Sequence, residues 1–162
     1  MNQPSGLIAR LRGDWPFPAG KSPVFYGWII AGISTLGFLF SVPGQTMGMA
    51  VFADAFIEVT GLSRTELSLA YMFGTIASAF FLTRAGRLFD AYGARIVLIL
   101  AALILGASIL FLSVVDRTSE YLAILVGIDS SVIAFLLMVA GYFGVRFSGQ
   151  GVMTSASRNV LL

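Results

Sequence analysis

Gly86-Arg87-Leu88-Phe89-Asp90-Ala91-Tyr92-Gly93-Ala94-Arg95 is a short charged stretch between two long apolar runs. Almost any apolar residue can make a membrane span, so the polar residues joining two spans carry more information than the spans do. Gly86 and Gly93 tolerate backbone angles and close approaches that side chains resist. Asp90 stands among Arg84, Arg87 and Arg95, where it is placed to cap a helix start, to pair with an arginine, or both. The stretch is expected to form a tight charged turn on the basic side of a membrane.

The rest of the chain supports a lipid setting. Of 162 residues, 57% are hydrophobic and only 11% charged, and mean hydropathy is +0.91. A soluble domain carries about 25% charged residues, so an ordinary water-soluble globule is excluded. The absence of cysteine rules out disulfides and thiolate chemistry. The absence of histidine removes the commonest general base and metal ligand. A net charge of +2 gives no reason to expect a nucleic-acid partner, and no cofactor or metal is expected.

Outward from the charged stretch, the fold class is all-α and polytopic, with four spans. Residues 1–24 are broken by Pro4, Pro16, Pro18 and Pro23 and read as a cytoplasmic tail, with no signal peptide. A first span covers residues 25–57, longer than the ~20 residues a bilayer needs, with a bend expected at Pro43-Gly44. Gly61 ends it, and Ser63 with Glu66 forms a capping box opening a second span, 65–85. A third span covers 94–115 and is followed by a polar loop at 116–120. Asp129-Ser130-Ser131 reads as a helix start. That favours an interfacial segment at 120–128 and a fourth span at 131–158, over a single span from 121 to 146. Two stripes of small residues, Gly37/Ser41/Gly44/Gly48 and Gly141/Gly144/Ser148/Gly151/Ser155, mark faces for close helix packing.

Four spans with the N-terminus inside put Arg10, Arg12, Lys21, Arg84, Arg87, Arg95 and Arg158 on the cytoplasmic side, and only Arg64 and Arg117 outside. This positive-inside bias sets the expected orientation: an integral multi-pass protein of the cell (inner) membrane. Arg146 alone falls inside a span.

The stretch at 86–95 resembles the loop between the second and third helices of the major facilitator superfamily, G-x-L-x-D-x-x-G-x-R. Gly86, Leu88, Asp90, Gly93 and Arg95 match, while Ala91 and Ala94 stand where the family often has basic residues. Arg146-Phe147-Ser148-Gly149-Gln150-Gly151 is similar to the family's fourth-helix pattern, with one residue more than its commonest spacing. Tyr26-Gly27-Trp28 and Gly61-Leu62-Ser63-Arg64-Thr65-Glu66-Leu67-Ser68 resemble the monocarboxylate-transporter and oxalate/formate-exchanger branches. The resemblance implies a secondary active transporter working by alternating access, with a small organic anion such as a monocarboxylate as substrate and a coupling proton as a partner. It implies that this chain holds the first four helices of such a fold, as a fragment or a truncated product, and that its partners include the missing C-terminal helices. It also implies a gating role for the loop. The competing expectation is a small four-helix membrane assembly or regulatory protein without transport of its own. No enzyme constellation is present.

The candidate substrate residues are Arg146, Gln150, Gln45, Thr46 and Tyr71. A cation within a span marks a functional site by default. Arg146 is open to three readings: a packing role through backbone carbonyls, an anion or proton role in a cavity, or a surface position. The uncharged polar residues are open to substrate contact or to interhelical hydrogen bonding, and Tyr71 to lining a path or to packing. Asp54 and Glu58 are read as solvated residues at a helix end or as proton carriers.

Overall fold

The computed structural model describes residues 25–159. The expected tail at 1–24, with Arg10, Arg12 and Lys21, lies outside the described residues. Within 25–159 the elements are helical. Three helices are long and apolar enough to cross a membrane: Arg64–Tyr92, Ala94–Ser113 and Ser130–Arg158.

The first segment is broken rather than continuous. Helix α1 (Tyr26–Phe40) runs into a 3-10 turn (Val42–Gly44), then α2 (Thr46–Val51) and α3 (Ala53–Thr60). Pro43 cannot donate to the preceding turn, and Gln45 is extended (φ −86°, ψ 159°), so the break falls at the expected bend. The expected span at 25–57 is therefore a 15-residue helix followed by short pieces. Gly61 ends α3 with φ 69°.

Helix α4 (Arg64–Tyr92) opens with the capping box. Glu66 N–H donates to Ser63 Oγ at 3.2 Å, and Ser63 N–H donates to Glu66 Oε2 at 2.8 Å. It does not stop at residue 85. Gly86 is a single helix-weakening residue, worth about 1 kcal/mol, and no proline follows it. The helix accordingly continues for 29 residues, about 43 Å at 1.5 Å per residue. The turn expected over 86–95 thus contracts to Gly93 alone (φ 83°, ψ 164°), a backbone region that essentially only glycine adopts. Helix α5 (Ala94–Ser113) starts at the next residue.

The expected polar loop at 116–120 is also helical. Helix α6 (Val115–Val126) contains neither glycine nor proline, Asp116 sits favourably in its first turn, and Gly127 (φ 72°) ends it. The expected interfacial segment at 120–128 therefore forms the second half of a longer helix. Asp129 then caps α7 (Ser130–Val145), accepting from Ser131 N–H at 3.1 Å. The chain continues from α7 through a π-helical stretch (Arg146–Met153) into α8 (Thr154–Asn159). One helix passes through Arg146, and the alternative span at 121–146 is excluded.

This last long helix is the hub of the packing. Helix α4 lies along α7, α5 and α6 cover other sides of it, and α1 lies on α8. Contacts are made by small residues: Ala70, Ala101 and Ala134 are at most 1% exposed. At Gly74 an added Cβ would lie 2.8 Å from Phe143 N, so α4 approaches the α7 backbone directly. The two small-residue stripes do not meet each other as a pair. Gly141 faces Leu112 and Gly144 faces Ser108, both on α5, while Gly151 faces Leu82 on α4. The first stripe meets a different face of the hub. Gly44 sits against Gly149, where an added Cβ would lie 2.6 Å from Gly149 Cα and 2.6 Å from Val145 O. Ser41 is fully buried and accepts from Thr154 Oγ1 at 3.2 Å.

Around this core the perimeter is apolar. Phe80, Leu110 and Ile124 are 72%, 71% and 85% exposed, a surface suited to lipid rather than water.

Candidate functional site

Four of the five residues singled out by sequence converge at one point. Arg146 Nη1 donates to Thr46 Oγ1 at 3.2 Å and to Gln150 Oε1 one turn on. The guanidinium lies 5.1 Å from the centroid of the Tyr71 ring, within the range of a cation–π contact. Tyr71 Oη donates to the same Thr46 Oγ1 at 3.0 Å. Thr46 thus accepts twice and keeps its own proton to donate.

The fold explains the convergence. Pro43 breaks the first segment, and the extended Gln45 carries the chain to Thr46, the first residue of α2. The Gly44–Gly149 contact fixes that turn against the π-helical stretch. Gly74, one turn beyond Tyr71, lets α4 approach α7 closely enough for the ring to reach the guanidinium. Gln45 points elsewhere: its Nε2 donates to Ser41 Oγ at 3.0 Å, back along its own segment. It is outside the Arg146 cluster.

Tyr142 is a residue that sequence reading missed. It is 2% exposed, and its ring meets Tyr71 edge-on at 5.4 Å and Phe56 edge-on at 6.2 Å. The available signal was its position four residues before Arg146, which puts Tyr142, Arg146 and Gln150 on one helix face. A cavity of about 190 Å³ opens beside it, lined by the hydroxyl-bearing Thr46, Ser68, Tyr71 and Tyr142 and by the apolar Met49 and Leu67.

Magnitudes decide what the cluster can do. A guanidinium at the centre of a span costs about 2.5–3.5 kcal/mol on insertion scales. Interhelical hydrogen bonds return about 0.6 kcal/mol each, and a stacked aromatic ring about 1 kcal/mol. These contacts orient the cation and offset part of the cost, but none supplies a negative charge. Among the described residues the one ion pair is Arg64–Asp54, at 2.6 Å, with both side chains more than 70% exposed. Arg146 is therefore a held, half-buried cation without an acid partner among the described residues. Asp54 is accounted for by Arg64, at the α3–α4 junction.

The motif at 86–95 has a looser geometry. Gly86, Leu88 and Asp90 lie in the last turns of α4, Gly93 makes the turn, and Arg95 lies in the first turn of α5. Asp90 is exposed; it neither caps α5 nor forms an ion pair among the described residues. Leu88 borders an apolar cavity of about 240 Å³ between α4, α5 and the π-helical stretch. Nearby, Arg84 lies 5.5 Å from the Phe81 ring centroid.

No family, no curated protein and no solved structure matches the chain.

Proposed function

We propose that the chain belongs to a secondary active transporter that moves a small organic anion, such as a monocarboxylate, across the membrane by alternating access. The carrying observation is Arg146: a cation in the middle of the long apolar helix that forms the hub, oriented by Thr46, Gln150 and Tyr71 and lacking an acid partner among the described residues. A site with these donors favours an anion, because the guanidinium has further N–H groups for a carboxylate. The resemblance of residues 86–95 to the facilitator loop supports the same reading. In that reading a second set of helices faces the Arg146 side, a coupling proton accompanies the substrate, and the N-terminus is cytoplasmic in the inner membrane. The loop at Asp90 and Arg95 biases the equilibrium between two conformations.

The test is uptake of labelled monocarboxylates and dicarboxylates into vesicles by the Arg146→Ala variant of the full-length protein. Transport should fall at least about tenfold, the scale of a charge-assisted hydrogen bond, while membrane insertion stays near wild type. Normal uptake by the variant sinks the proposal.

A further inference from the structure

Serine and threonine hydroxyls inside helices generally find the carbonyl of the preceding turn. This protein follows that habit: Thr35 donates to Ala31 O, Ser68 to Arg64 O, Thr75 to Tyr71 O, Ser108 to Ile104 O and Ser148 to Gly144 O. Two serines do not. Ser34 on α1 and Ser157 on α8 are 3% and 2% exposed, and neither Oγ has a hydrogen-bond partner. Buried polar groups left unpaired in this way require an explanation.

Both unpaired serines line the same crevice between α1 and α8, a cavity of about 220 Å³ completed by Thr35, Phe38, Leu39 and Arg158. Gly37 makes room for the pair, since an added Cβ there would strike Ser157 Oγ. The lining thus offers one guanidinium, with two unpaired hydroxyls buried directly behind it that turn toward the crevice by rotation about one side-chain bond, and it contains no acid. Arg158 is exposed and has no ion pair among the described residues. One planar cation beside two hydroxyls matches a tetrahedral oxyanion, above all a phosphate group.

The neighbours say how that phosphate arrives. Phe38 and Leu39 are 44% and 58% exposed, so the crevice opens onto the apolar perimeter. Ser157 lies eleven residues beyond Arg146, roughly 16 Å along the axis. That distance is about half of a 30 Å hydrocarbon core, which puts the crevice at headgroup level if Arg146 marks the midplane. Basic pockets between helices at that level take anionic lipid headgroups.

We infer that the α1–α8 crevice is a binding site for the phosphate of an anionic phospholipid, held by Arg158, Ser34 and Ser157, with its acyl chain along Phe38 and Leu39. The site is separate from the Arg146 cluster and does not depend on what that cluster carries.

The experiment reconstitutes the full chain in nanodiscs of mixed phosphatidylglycerol and phosphatidylcholine and counts retained lipid by native mass spectrometry. Wild type should retain phosphatidylglycerol selectively. Arg158→Gln should lower its retention about tenfold, and the Ser34→Ala/Ser157→Ala double variant about threefold. Arg84→Gln, which removes a charge elsewhere on the perimeter, should change nothing. Melting curves of each variant separate lost lipid from lost fold. Equal retention of the two lipids, or unchanged retention in Arg158→Gln, overturns the site. Displacement of phosphatidylglycerol by an equal concentration of inorganic phosphate assigns the crevice to the free ion and overturns the lipid reading.

Discussion

The Arg146 cluster and the Gly93 hairpin are built on opposite plans. The cluster draws Thr46, Tyr71, Arg146 and Gln150 from three separate elements, and its members touch one another. The hairpin is contiguous in sequence, yet its acid, Asp90, touches no base among the described residues. What differs is where the constraint lies. In the cluster it is in side chains gathered by close backbone packing. In the hairpin it is in the backbone angle at Gly93, with Asp90 left exposed at the surface.

Four substitutions test that contrast, taken from the largest expected effect down. Gly149→Val places a branched side chain against the Gly44 backbone, where no flexible side chain can yield. Overpacking of this kind costs about 3 kcal/mol, and the loss should appear as a lowered unfolding free energy in mixed micelles. A neutral result would mean that the first segment docks elsewhere. Gly93→Ala forces a side chain into a glycine-only backbone region and should cost about 2 kcal/mol in the same assay. If it costs nothing, the hairpin is not held by its backbone.

Tyr71→Phe removes the hydrogen bond to Thr46 but keeps the ring under the guanidinium. It should cost about 0.6 kcal/mol, and it should spare stability far more than it spares anion uptake. Equal losses in both would reduce Tyr71 to packing. Asp90→Asn should be the mildest, within about 0.5 kcal/mol in stability, because no ion pair is lost among the described residues. Its effect belongs to turnover: in the proposed gating role the variant transports more slowly while assembling normally. Wild-type turnover would remove Asp90 from the gate.

Sequence patterns revealed what is local. Ser63 and Glu66 announced the start of α4, Asp129 the start of α7, and Pro43 the break in the first segment, because each acts through its own nearest backbone. They misjudged where helices stop. Arg87 and Asp90 looked like turn residues, as did Asp116 and Arg117, yet charge alone does not end a helix; Gly93 and Gly127 do. For the site, the polar residues in apolar surroundings were visible one by one. Their convergence was not, because it depends on which faces the glycines bring together. Gln45 shows the difference. It is adjacent to Thr46 and chemically equivalent to Gln150, but it turns back to Ser41. The π-helical stretch was likewise hidden; its composition, with Gly149 and Gly151 beside Ser148, reads equally well as an ordinary α-helix.

The Gly44–Gly149 contact also bears on how the sequence is free to drift. Each glycine's missing side chain is occupied by the backbone of the other, so neither position has an acceptable neighbour one mutation away, and a second change at the partner position only adds bulk. Among relatives that keep this fold, both columns should therefore stay glycine together, even where the surrounding lipid-facing residues have been replaced many times over. Aligning relatives as they are found would test this, and a side chain tolerated at either position would show that the two segments cross differently there.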